Sequence, residues 1–85
     1  MEKIKPDEVL DCLGLFCPIP ILKTAAKLKE MKGGKVLEVL TSDSEVEINM
    51  PAFCQSSGDE FLGFESLSSE KYRVWVRRRT REKLT

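Results

Sequence analysis

Histidine is absent from this chain, and with it go the commonest general base, proton shuttle and metal ligand. A hydrolytic cysteine enzyme needs a base, an orienting group and a later proton donor, so a papain-like mechanism has almost nothing to work with. No run approaches the ~20 apolar residues of a membrane span, and MEKIKPDEV at the N-terminus lacks a secretory apolar segment. The expected location is therefore the cytoplasm, where thiols stay reduced. Cysteines number three, an odd count that argues against a disulfide framework. Charge of neither sign is in excess, with 14 Lys+Arg against 14 Asp+Glu, so no global field draws the protein to nucleic acid or membrane.

What is there fits one small soluble domain. The 85 residues, 41% hydrophobic and 33% charged, allow a single modest core. That core is expected over about residues 7–79, with a polar C-terminal tail. EVLDCL (8–13) reads as a first strand ending at Gly14. From Pro18 to about Lys32, Ile21, Leu22, Ala25, Leu28 and Met31 recur near helical spacing, and Gly33-Gly34 supplies the stop. KVLEVLT (35–41) is a second strand. Ser44 and Glu47 match a capping box for a second helix that carries Val46, Met50 and Phe53 on one stripe. Pro51 predicts that this helix is kinked or short at its start, and Gly58 ends it. FLGFESL (61–67) and YRVWVRR (72–78) read as a hairpin.

The order β-α-β-α-β-β predicts the fold class. Two helices cannot cover both faces of a four-stranded sheet in so short a chain. The expectation is α+β: a two-layer α/β sandwich with a mixed sheet and both helices on one face. On the last strand Tyr72, Val74 and Val76 then point one way, and Arg73, Trp75 and Arg77 point to the open face.

The stretch DCLGLFCPIP (11–20) carries the chemistry. Proline is favoured at the first helical position, where its missing N–H has no helical partner, and Pro20 falls in the same first turn. Both prolines stiffen a helix start, and Cys17 becomes its N-cap. A thiolate there lies at the positive end of the macrodipole, worth roughly 0.3–1 kcal/mol when exposed. Pro20 offers no N–H, so the Ile19 N–H is the natural donor to sulfur. The thiolate is the nucleophile, and Lys23 and Lys27 stand on the same helix to assist at longer range. Sulfur exchange needs only such a thiolate, which attacks a sulfur and is attacked in turn. Against this stands the ordinary reading of a cysteine as a small buried hydrophobe.

Asp11, Gly14, Cys17, Pro18 and Pro20, in the order D-x-x-G-x-x-C-P-x-P, resemble the signature of the TusA/SirA/YedF family of sulfur carrier proteins. The resemblance continues through Gly34, KVLEVLTSD with Asp43, IN-MPAFC and the closing hairpin. It implies a two-layer βαβαββ fold with the motif at the start of the first helix. It also implies that Cys17 accepts sulfane sulfur as a persulfide from a desulfurase or rhodanese. The sulfur then passes to an acceptor protein, in routes such as tRNA thiolation, molybdenum-cofactor assembly or sulfur metabolism. Two positions depart from the pattern: Asn49 stands where an acidic residue is common, and Asp59 follows Gly58 where histidine is frequent.

Other residues have ordinary readings to set beside functional ones. Cys12 and Cys54 are expected to be packing residues, with a resolving thiol as the alternative. The latter would make the protein a thiol redox protein pairing Cys17 with Cys12 or Cys54. Cys12, Cys17 and Cys54 make a poor metal site, since C-x4-C is wide for a zinc knuckle and no histidine completes a tetrahedron. No metal and no cofactor are expected. Asp11 and Gly14 suit turn chemistry. RVWVRRRTR (73–81) reads as a solvated strand face with a basic tail. The alternative is a partner surface around Trp75, which would suit a non-catalytic interaction module. Direct nucleic-acid binding and membrane association are not expected.

Overall fold

The structure, a computed structural model, is described over residues 5–15 and 19–79. The elements follow the expected order: β1 (Glu8–Cys12), α1 (Ile19–Glu30), β2 (Val36–Thr41), α2 (Val46–Ser57), β3 (Glu60–Ser68) and β4 (Lys71–Arg77). The four strands form one mixed sheet in the order β1-β2-β4-β3. β1 and β2 are parallel, which α1 permits by supplying the crossover, while β4 is antiparallel to both β2 and β3. α1 packs on β1 and β2, α2 on β3 and β4, and the helices touch each other. This is the two-layer sandwich with both helices on one side.

Alternation along the central strands decides which face they cover. Leu37, Val39 and Thr41 on β2 are fully buried, and Val76 and Val74 stand opposite Leu37 and Val39 on β4. Leu28, Met50 and Val46 fill the space above them from the helices. Arg73, Trp75 and Arg77 face the open side, as the alternation requires. There Trp75 Nε1 donates to Glu38 Oε1 at 3.2 Å, and Arg73 pairs with Glu38 (3.6 Å) and Glu65 (3.9 Å).

The helices depart from the sequence pattern in four places. The buried stripe of α1 is Pro20, Thr24 and Leu28, flanked by half-buried Ile21 and Ala25, whereas Leu22 is 58% exposed. At about 100° per residue Leu22 stands about 160° or more around the helix from Pro20 and Thr24. Once those two face the sheet, Leu22 cannot. α1 also ends at Glu30, two residues early, with Met31 N–H bonded to the Leu28 carbonyl at 3.0 Å.

The Ser44–Glu47 capping box does not form. Glu45 is the N-cap in a helical conformation without a side-chain cap, and Asp43 Oδ1 accepts the Glu45 N–H at 2.9 Å in its place. Pro51 is the sixth residue of a twelve-residue α2, so the helix is not cut short at its start; it denies the Glu47 carbonyl its helical donor without ending the helix. Gly58 closes α2 as expected, in the left-handed conformation with its N–H on the Cys54 carbonyl.

β3 carries a bulge at Leu62, between Phe61 opposite Val76 and Gly63 opposite Trp75. The extra residue puts Phe61 and Phe64, three apart, against the same core. Phe64 then stacks on Tyr72 with ring centroids 5.6 Å apart. Among the described residues no helix is long and apolar enough to cross a membrane.

Candidate functional site

The expected nucleophile Cys17 and its neighbour Pro18 lie outside the described residues, as does the expected bond from Ile19 N–H to sulfur. The site is therefore built from the residues on either side. β1 ends in a tight turn: Leu15 N–H donates to the Cys12 carbonyl at 3.1 Å, and Gly14, third residue of that turn, holds φ at +83°. A β-turn with positive φ at its third residue selects glycine. Asp11 Oδ1 accepts the Leu13 N–H at 3.0 Å, so Asp11 and Gly14 both do the turn work foreseen for them.

A second tether was not foreseen. Gly14 N–H donates to Ser42 Oγ at 3.0 Å, binding the loop that leads to Cys17 to the chain leaving β2. Nothing local in the sequence marks Ser42 for this. The parallel register, Cys12 opposite Thr41, brings the two strand ends side by side. Asp43, one residue on, donates its backbone N–H to Thr41 Oγ1 at 3.0 Å and is buried.

On the far side of Cys17, α1 begins at Ile19, with Pro20 buried in its first turn. That turn holds no carboxylate, whereas Lys27 and Lys29 occupy the last turn. The negative end of the macrodipole is thus compensated and the positive end, beside the motif, is left to favour an anion. Lys23 is exposed on this half of the helix. Lys27, in the last turn, is engaged with Glu8 (3.4 Å) and Glu30 (3.9 Å).

Cys12 and Cys54 are core residues, 0% and 2% exposed. Burial raises the Cys12 thiol pKa, a shift opposed by Lys23 and aided by Asp11. Burial, with Asp59 adding to it, pushes the Cys54 thiol up to about 12. Both are held as neutral thiols, which are poor nucleophiles.

Asp59, one of the two departures from the motif pattern, has a structural task. It is 8% exposed; its Oδ1 accepts the Arg79 N–H at 2.8 Å, its Oδ2 accepts the Ser57 hydroxyl at 2.7 Å, and Arg78 lies 3.5 Å away. Asn49, the other departure, is half-buried on α2. The described part of the basic run is likewise consumed within the fold. Arg77 pairs with Glu60 at 3.1 Å, Arg79 Nη1 donates to the Ser57 carbonyl at 2.6 Å, and Arg73 lies over the Trp75 ring at 5.5 Å. Arg81 lies outside the described residues.

Comparison with known proteins places this geometry. The family model described as "Sulfurtransferase TusA" matches residues 8–78. The chain belongs to the TusA family. It is 29% identical over 79 residues to the sulfur carrier protein TusA of Pseudomonas savastanoi, covering 93% of each chain. It is 41% identical over 63 residues to the putative sulfur carrier protein YrkF of Bacillus subtilis. That match covers 74% of this chain but 34% of YrkF, so the chain spans about a third of that relative. A SirA-like protein of Desulfitobacterium hafniense has a similar structure, with a TM-score of 0.68, 25% identity, and coverage of 85% of this chain and 97% of that one. In TusA-family terms, the second half of the C-P-x-P motif, Ile19 and Pro20, opens α1, and Gly14 in the turn after β1 is tied to Ser42 just past β2. A sulfur carrier role follows from the family.

Proposed function

We propose that Cys17 takes up sulfane sulfur as a persulfide and hands it to an acceptor protein. The supporting observation is the start of α1: the motif runs into a helix whose first turn contains Pro20 and no carboxylate. This favours an anion at the residue before the helix, and an exposed thiolate is the form that attacks sulfur. In the loading step the Cys17 thiolate attacks the outer sulfur of a donor persulfide, R–S–SH. The new bond joins Cys17 Sγ to that sulfur, the donor S–S bond breaks, and the donor leaves as the thiolate R–S⁻, the proton staying on the transferred sulfur. Release repeats the step, with an acceptor thiolate as the attacking group.

Asp11, Gly14, Ile19 and Pro20 shape the loop and helix start, with Pro18 assigned to the same role. We take residues 1–85 as one carrier domain acting in the cytoplasm. Its donor is a protein of desulfurase or rhodanese type, and its acceptor belongs to tRNA thiolation, molybdenum-cofactor assembly or sulfur metabolism. A redox role pairing Cys17 with Cys12 or Cys54 is disfavoured, because both partners are buried and held neutral.

The test is mass spectrometry of the reduced protein after incubation with a cysteine desulfurase and cysteine. A gain of one sulfur atom on the Cys17 peptide, lost in Cys17→Ser, is expected. No adduct from several donors, with Cys17 still open to alkylation, would overturn the carrier reading.

A further inference from the structure

Away from the motif, the second halves of α1 and α2 leave a groove of about 390 Å³ between them. Its apolar floor is Ala25 and Leu28 from α1 and Phe53 from α2. Phe53 is half-buried: it packs against the core and also lines the groove. Small residues keep the space open, because Ala25 on one side and Ser56 and Ser57 on the other carry too little volume to fill it. The end of the groove is formed by residues just past α2 and β4, namely Asp59, Arg78 and Arg79.

The charged rim is unbalanced although the whole chain is neutral. Lys29, Arg78 and Arg79 line the groove against one carboxylate, Asp59, which leaves a charge of +2. Asp59 is buried, and its oxygens are taken by the Arg79 N–H, the Ser57 hydroxyl and Arg78. The Cys54 and Ser57 carbonyls near the end of α2 are taken by the Gly58 N–H and Arg79 Nη1. A guanidinium carries five N–H donors, and these contacts occupy one on each arginine. Lys29 is exposed and joins no ion pair among the described residues. A neighbouring groove of about 410 Å³ differs: its rim mixes Asp7, Glu8 and Glu30 with Lys32 and Lys35, so it selects no charge.

We propose that this groove binds a small phosphate monoester with an aromatic or aliphatic body, its phosphate held by Lys29, Arg78 and Arg79 and its body laid on Ala25, Leu28 and Phe53. Guanidinium groups suit phosphate oxygens because their forked donors match them in geometry. A phosphate monoester carries about −1.5 to −2 at pH 7, which meets the rim charge; a single carboxylate meets half of it. Bare phosphate leaves the apolar floor wet, and an uncharged apolar molecule leaves the cations unused. The volume lies at the lower end of the roughly 300–1,000 Å³ usual for small-molecule pockets. The site uses no atom of Cys17, so it stands apart from the carrier reading.

The test titrates phenyl phosphate into the full chain and follows the backbone amides by NMR. Saturable shifts are expected at Lys29, Ser56, Ser57 and Arg79, with little change at Lys71, which opens β4 at the other end of the sheet. Lys29→Gln and Arg79→Gln should each raise Kd about tenfold, the scale of one charged hydrogen bond, while Lys71→Gln should match wild type. Inorganic phosphate, lacking the ring, should bind about tenfold more weakly. Ala25→Leu, which fills the floor, should abolish binding; Lys29→Gln, at an exposed position, tests the site even where that variant fails to fold. Affinity should fall as pH drops through about 6, where the monoester loses its second charge. The absence of any saturable shift overturns the proposal, as does inorganic phosphate binding as tightly as phenyl phosphate. A Kd unchanged by both cation variants does the same. A dimer dispersed by Ala25→Leu, with no response to phenyl phosphate, would assign the groove to a second copy of the chain and overturn the proposal too.

Discussion

At the scale of single residues, burial sets the chemistry of the two core thiols, Cys12 and Cys54. Cys54 is in the core and its pKa is pushed up to about 12, so the native state keeps a proton that the unfolded chain sheds near the ordinary cysteine value of about 8.5. The raised native value means that Cys54 stabilises the fold fully below the unfolded pKa. That contribution is lost as pH climbs toward about 12. Within the window stability should fall by up to about 1.4 kcal/mol per pH unit for this one thiol. Urea unfolding from pH 8 to 11 should therefore give a steeper alkaline decline for wild type than for Cys54→Ala. Equal slopes would refute the assignment. Iodoacetamide at neutral pH should leave Cys12 and Cys54 untouched in the native protein.

At the scale of elements, the bulge at Leu62 is the device on which the β3 side of the core depends. With strict alternation Phe61 and Phe64 would lie on opposite faces. The bulge places both on the core side, where Phe64 meets Tyr72. Deleting Leu62 should close the bulge without moving either ring, because Phe61, Gly63 and Phe64 already stand opposite the consecutive residues Val76, Trp75 and Val74. The deletion should therefore cost less in chemical denaturation than the roughly 1.5–3 kcal/mol of an expelled phenylalanine. A loss of that size or more would mean that Leu62 itself holds the register of β3.

Across the whole molecule, Asp59 ties the two layers together where both chain directions end. One carboxylate holds the Ser57 hydroxyl at the end of α2 and the Arg79 backbone N–H just past β4. Hydrogen bonds to a charged group are worth about 1.5–3 kcal/mol, and for a domain of this size 1 kcal/mol moves Tm by roughly 4–8 °C. Asp59→Ala should lower Tm by about 10 °C on that scale while polysulfide loading of Cys17 stays as in wild type. A change in loading with unchanged Tm would put Asp59 in the sulfur chemistry instead.

How much of this was legible beforehand follows the range of each interaction. Strand alternation, the glycine stop at Gly58, the turn at Asp11 and Gly14 and the two-layer order rest on local periodicity and backbone preference, which the sequence carries residue by residue. So does the second half of the motif, Ile19 and Pro20, which opens α1. Four things needed the third dimension. The Ser42 tether exists because parallel pairing sets the ends of β1 and β2 side by side. The bulge exists because β3 must match the register of β4. Asp43, rather than Ser44, meets the start of α2 because the Thr41 hydroxyl and the Glu45 N–H hold it there. Leu22 faces water because only two helices cover the sheet, and Pro20, Thr24 and Leu28 already fill the side of α1 that meets it. Local rules chose the elements, and contacts between residues far apart in the chain chose their partners.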